Sequence, residues 1–221
     1  TVRKRWRASQ CLYGEFQLNG KQYCVNNGKW YVVDQNYVAA INDSYERVPI
    51  SSLNFHTFSA GQREADYNKL LAEQDQSSRI LMDAKNIPYG GGRSKIELCD
   101  VLLTDGSFVH VKVYSGSSAL SHLFNQGYVS SQLVRSDPIF VKKAQEKIEE
   151  VNPGLDFTLS RESVKEVVFG IVSNDDREKP ALPFFSKITL EETRKRLESM
   201  GIRMSIRAIK RESPSNPESA D

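Results

Sequence analysis

Glu97-Leu98-Cys99-Asp100-Val101-Leu102-Leu103-Thr104-Asp105-Gly106-Ser107-Phe108-Val109-His110-Val111-Lys112-Val113-Tyr114 sets two apolar, β-branched runs on either side of a Thr-Asp-Gly turn. That pattern predicts a β-hairpin. An Asp, a His and a Lys interrupt the apolar runs. Ionisable groups in strands that otherwise want burial are costly unless something pairs with them, so this hairpin is the candidate active site. Register decides whether the three meet. A three-residue loop with Gly106 in the left-handed conformation pairs Leu103 with Ser107 and puts Asp100 opposite His110. Strand alternation then gives Asp100, His110 and Lys112 one face. A two-residue Asp105-Gly106 turn slips the pairing by one, brings Glu97 and Cys99 to that face and turns Asp100 away. The three-residue loop is the preferred reading.

Working outward, the hairpin lies in a mixed order of elements. A helix capped by Ser59 is expected to run to about Gln74, followed by a strand over Arg79–Asp83 and a loop at Pro88-Tyr89-Gly90-Gly91-Gly92. After the hairpin, helices are expected over 118–134 and from Asp137-Pro138 to about Glu150. A strand over Val164–Val172 comes next. A capping-box spacing from Thr189 to Glu192 opens a further helix that Gly201 ends, and Ile202–Ile209 alternates as a last strand. Upstream, Asn19-Gly20 and Asn26-Asn27-Gly28 mark tight hairpin turns between short strands, and a helix at 35–47 is expected to bury Tyr37, Ala40, Ile41 and Tyr45. The fold class expected is α/β (α+β): a central mixed sheet flanked by helices, with a small β-rich N-terminal subdomain. Residues 1–50 form that subdomain, 51–211 the α/β domain, and 212–221 a disordered tail.

Composition bounds the function. The 221 residues are 39% hydrophobic and 26% charged, with net charge +2, which supports a packed core and argues neither for nor against nucleic acid. Cys11, Cys24 and Cys99 are odd in number and scattered, so neither a disulfide framework nor a structural zinc site is signalled. No apolar run reaches membrane-spanning length and no secretory leader is evident, so a cytoplasmic chain without membrane partners is expected. The absence of an initiator Met suggests a piece of a longer chain.

Carboxylate, imidazole and ammonium on neighbouring strands suit phosphoester chemistry. Asp100 can hold Mg²⁺ through oxygen, and Lys112 beside it can orient water or stabilise developing charge. On the preceding helix Glu64 shares a face with Tyr67 and Leu71, which makes it a third ligand; Asp83 is another candidate. Ser117 and Ser118 open a helix directly after the Lys112 strand, where backbone amides attract phosphate. Arg93 and Lys95 beside the glycine run can touch nucleic-acid backbone. Arg194, Lys195, Arg196, Arg203, Arg207, Lys210 and Arg211 form the best basic surface.

The order helix, three strands, helix and strand, with Asp100 and then Val111-Lys112, resembles the PD-(D/E)XK, restriction-endonuclease-like nuclease superfamily over roughly residues 59–210. The resemblance implies a Mg²⁺- or Mn²⁺-dependent nuclease. Asp100, His110 and Glu64 would hold metal, and Lys112 would assist the water. It also implies nucleic acid as partner, DNA ahead of RNA, and homo-oligomeric assembly. The superfamily carries Asp or Glu where this chain has His110, and imidazole prefers softer ions than Mg²⁺. Gln126 is similar to a Gln that some superfamily members place after the Lys strand, and would contact nucleic acid. A narrower resemblance rests on Ile96–Leu102, Val109-His110-Val111-Lys112, Gly116–Gly127 and Leu182-Pro183-Phe184-Phe185-Ser186-Lys187. These strings are similar to a sporadically distributed bacterial family of unassigned function, linked to mobile elements and defence, whose members are longer. It implies a role against foreign DNA. The alternative is a binding module for nucleic acid or protein that kept the fold and lost the chemistry.

Overall fold

The computed structural model describes residues 7–90 and 94–212; Arg93 and nearly all of the expected tail lie outside them. The central hairpin forms with the three-residue loop. Gly106 has φ +94° and its amide donates to the Leu103 carbonyl. A Cβ at that position would stand 2.0 Å from the Ser163 carbonyl oxygen, so conformation and space both require glycine. Val101 pairs with Val109 and Leu102 with Phe108.

In chain order the elements are β1 (Gly14–Leu18), β2 (Lys21–Asn26), β3 (Lys29–Val32), α1 (Gln35–Glu46), α2 (Glu64–Glu73), β4 (Arg79–Leu81), β5 (Asn86–Tyr89), β6 (Ser94–Glu97), β7 (Val101–Leu103), β8 (Ser107–Val113), α3 (Ser117–Ser136), α4 (Pro138–Val151), β9 (Glu166–Ser173), α5 (Phe184–Ser199) and β10 (Arg203–Lys210). Five strands make a mixed sheet in the order β10-β9-β8-β7-β4. β8, β9 and β10 run parallel, while β7 is antiparallel to both β8 and β4. The fold is therefore mixed α/β, with helices on both faces of the sheet. Tyr67 and Leu71 of α2 pack on Val101, Val109, Val111 and Val168. The opposite face, with Phe108 and Phe169, is covered by Leu120 and Phe124 of α3, Phe140 of α4 and Leu190 of α5. Each such side chain removed from water contributes roughly 1.5–3 kcal/mol.

Four local expectations are corrected. α2 begins at Glu64 rather than after Ser59, because Gly61 takes φ +77° and breaks the chain direction first. The expected loop at Pro88–Gly92 is partly strand: β5 and β6 pair as a separate hairpin, with Pro88 opposite Lys95, as an edge strand permits. α5 starts five residues before Thr189, whose hydroxyl donates to the Phe185 carbonyl from inside the helix. On α1 the buried residues are Val38, Ile41 and Tyr45, while Tyr37 and Ala40 stay exposed.

The N-terminal strands form their own sheet, β1-β2-β3. Both Asn-Gly turns have positive φ at each residue, as type I′ hairpins demand. α1 docks Val38 and Ile41 against Phe184 of α5, and Tyr45 and Val48 join the main core. No described helix is long and apolar enough to cross a membrane.

Candidate active site

β7 accompanies β8 only as far as Val109. From there the chain leaves the ladder. The Asp100 amide donates to the Val109 carbonyl (2.9 Å) instead of continuing the pairing toward His110. Strand β8 is thus left with an unpaired edge, and the Val111 amide on that edge donates to Asp100 Oδ2 at 2.6 Å. A strand amide points within the sheet plane, so the Asp100 carboxylate sits at the edge of the sheet and not on either face. The Asp100 carbonyl accepts from the amides of Met82 (2.8 Å) and Asp83 (2.9 Å), which anchors the end of β4 alongside. Glu97, at the end of β6, accepts from the Ala84 amide.

These backbone contacts gather three carboxylates. One oxygen each of Asp83, Glu97 and Asp100 lies within 4.8 Å of the others. Lys112 stands next to them and donates to Glu64 Oε2 at 2.8 Å, each of these side chains being about one-third exposed (33% and 32%). Burial, with Glu97, Asp83 and Glu64 adding, pushes the Asp100 carboxyl up to about 8. Burial also raises Glu97, and the Asp83 charge adds to it. Clustered negative charge of this kind, drawn from hard oxygen donors, fits Mg²⁺ or Mn²⁺. Asp83, Glu97 and Asp100 would hold the ion, with Glu64 and Lys112 at its margin.

His110 is not part of the site. It lies 3% exposed in the core, its ring 6.0 Å from that of Phe169, and its Nε2 has no partner. Burial pushes its pKa down to about 3, so it is a neutral core imidazole. The sequence-derived register is the one observed, yet the shared face does not follow from it. Alternation holds only within a continuous ladder, and the ladder stops one residue before Asp100. Glu64 and Lys112 do come to the site, but as an ion pair. Asp83 and Glu97 complete it. In the sequence Asp83 is a secondary candidate, and Glu97 joins the His110 and Lys112 face only with the slipped register.

The surrounding residues divide. Lys95 and Gln126 line one pocket of about 320 Å³ together with Glu97, Asn86, His122 and Asn125, so both share a pocket with one of the three carboxylates. Ser117 instead donates to Glu15 Oε1 of β1 at 3.0 Å, and the Glu15 carboxylate also accepts from the Phe185 amide at 3.1 Å. The protein's own carboxylate therefore occupies the position expected for phosphate; Ser118 beside it is exposed. The expected basic surface is largely neutralised. Arg194 pairs with Glu191 and Glu198, Arg203 with Glu166, Arg207 with Glu178 and Lys210 with Asp176.

Over residues 1–210 the chain matches the model of a family of unknown function, DUF6119, and belongs to that family. Neither the curated proteins nor the solved structures gave a match.

Proposed function

We propose that this chain is a metal-dependent phosphodiesterase acting on nucleic acid, DNA ahead of RNA. The observation that carries the reading is the convergence of Asp83, Glu97 and Asp100 at the open edge of β8, beside Lys112. A divalent cation bound there supplies Lewis-acid polarisation of a phosphoryl oxygen and lowers the pKa of water. Lys112, oriented by Glu64, presents an ammonium that orients the attacking water and offsets charge developing on the phosphoryl oxygens. Lys95, His122 and Gln126 give the adjoining pocket donors for the flanking phosphate and base. The Glu64–Lys112 contact also favours a second reading, in which this pair serves only the fold and the domain binds without cutting.

Plasmid DNA and a structured RNA, incubated with Mg²⁺, Mn²⁺ or EDTA, separate the two. Cleavage that needs metal, is lost in Asp100→Asn and Lys112→Ala, and persists in His110→Leu supports the enzyme. Binding unaffected by EDTA, with neither polymer cut, supports the binding module. Cleavage surviving both Asp100→Asn and Lys112→Ala would remove this mechanism.

A further inference from the structure

The large hydrophobic side chains left in solvent are unevenly distributed. Leu12, Tyr13, Phe16, Leu18, Trp30 and Tyr31 all belong to the N-terminal sheet or its immediate lead-in, with exposures from 41% to 73%. Strand register sorts them. Phe16 pairs with Tyr23, which pairs with Val32; Val25 pairs with Trp30; Leu18 pairs with Lys21. Paired residues point the same way, so Phe16, Tyr23, Trp30 and Lys21 share one face of β1-β2-β3. Ring geometry agrees. Phe16 and Tyr23 stack at 5.1 Å and 9°, and Trp30 meets Phe16 edge-on at 5.5 Å and 85°. The opposite face holds Glu15, the buried Gln22, Lys29 and the exposed Tyr31, and through Glu15 it docks on the starts of α3 and α5. The aromatic face is turned away from the body.

Charge indicates what covers it. Along the described residues 7–33 the basic residues are Arg7, Lys21 and Lys29, against a single acid, Glu15, and the register puts Lys21 on the aromatic face. That acid is engaged on the docked side. A second copy of this chain would bring like charge to like charge, which disfavours a symmetric pairing of these faces. An aromatic platform in a basic setting complements a polyanion that has unstacked rings to offer. Bases of a single strand meet that description, whereas those of a duplex are hidden in the stack.

We propose that the outward face of β1-β2-β3 is a binding surface for single-stranded nucleic acid, with bases stacking on Phe16, Tyr23 and Trp30 and Lys21 contacting the backbone. This rests on nucleic acid being the substrate of the carboxylate site, and it adds that the substrate is delivered single-stranded. Because binding needs neither metal nor cleavage, it is measured apart from the chemistry.

The test is fluorescence anisotropy of the whole chain with a labelled mixed-sequence 20-nucleotide DNA, its RNA counterpart and the corresponding DNA duplex, all in EDTA. The single strands are expected to bind more tightly than the duplex, and tighter at 50 than at 200 mM salt. Trp30→Ala and Phe16→Ser should each weaken single-strand binding about tenfold, and Lys21→Glu should weaken it and flatten the salt dependence. All three positions are exposed, so circular dichroism should match the parent; quenching of Trp fluorescence by oligo-dT, reduced in Trp30→Phe, gives a readout that needs no disruptive variant. Single-strand affinity unchanged in all three variants would overturn the proposal. So would Trp30-dependent binding to anionic vesicles, or Trp30-dependent dimerisation in sedimentation, with oligonucleotide affinity unaltered. Loss of cleavage with retained Trp30-dependent binding would leave this surface standing and remove only the hydrolase.

Discussion

Asp100→Asn removes a titration while nearly preserving shape, since the amide oxygen can still accept from the Val111 amide. In the folded protein the Asp100 carboxyl is pushed up to about 8, against an ordinary value of 3.8. Between these values the native state holds a proton that the unfolded chain has released. The native state then binds more protons than the unfolded one, so the Asp100 contribution to stability of the metal-free protein is fully present below about pH 4 and is lost as pH rises through about 8. One proton sets the ceiling at about 1.4 kcal/mol per pH unit, so on the order of 3 kcal/mol is lost between pH 5 and 7. The Asn variant lacks this slope. In EDTA it should therefore gain on the parent steadily across that interval, measured by urea unfolding at pH 5, 6 and 7. Added Mn²⁺ should stabilise the parent and not the variant and so close most of that gap, because ligand at a hundredfold over its Kd stabilises a binding-competent protein by about 2.7 kcal/mol. Parallel pH curves for the two proteins in EDTA, or an equal Mn²⁺ shift in both, would refute the crowded-carboxylate account.

Three further outcomes follow from the same geometry. His110→Leu should leave metal binding and cleavage intact. It should also reduce acid sensitivity: the buried imidazole is pushed down to about 3 from 6.5, so the unfolded chain binds the extra proton and the parent loses stability as pH falls through that window, a loss the variant escapes in urea titrations at pH 4 to 6.5. Lys112→Ala should lower metal-dependent cleavage by about 10²- to 10⁴-fold with little change in thermal midpoint, since a partly exposed ion pair contributes at most ~1 kcal/mol. Gly106→Ala places a side chain at φ +94° and against the Ser163 carbonyl; a cost on the order of 3 kcal/mol should lower the melting temperature by about 10 °C in a calorimetric scan.

Much of the scaffold was legible where one local rule dominated. The Asn-Gly pairs specified their hairpins, Asp137-Pro138 specified the start of α4 with the Asp137 carboxylate accepting from the Ile139 and Phe140 amides, and the need for a left-handed residue at Gly106 specified the register. Boundaries failed where a local signal was outweighed by packing. The Thr189–Glu192 spacing looks like a helix start, but Phe184, Ser186 and Leu190 are all buried, so the helix was extended backward to cover them. At the candidate site, Asp100 and Lys112 were legible because each is an ionisable residue in an apolar strand, and Glu64 because helical spacing puts it on one face with Tyr67 and Leu71. His110 satisfied the same criterion and was misassigned. A buried neutral imidazole and a metal-binding one leave the same trace in a sequence; only the local path of the backbone separates them.

That path also explains why the carboxylates gather at this point of the sheet. A strand edge exposed midway along a sheet leaves amides in need of acceptors and is open to unwanted pairing. β8 is seven residues long and β7 only three, so the far half of β8 has such an edge. Continuing β7 would have satisfied those amides and filled the space. Ending it at Val101 instead turns Asp100 into the acceptor for Val111, and the room vacated by the missing strand is where Asp83 and Glu97 arrive from β4 and β6. The same interruption that denies Asp100 a face in common with His110 thus gives it the company of two other carboxylates. A change that restored the ladder, such as pairing residue 100 with residue 110, would satisfy the backbone and dissolve the cluster. The acidic centre is the consequence of an incomplete sheet, and its residues are set by where the pairing stops.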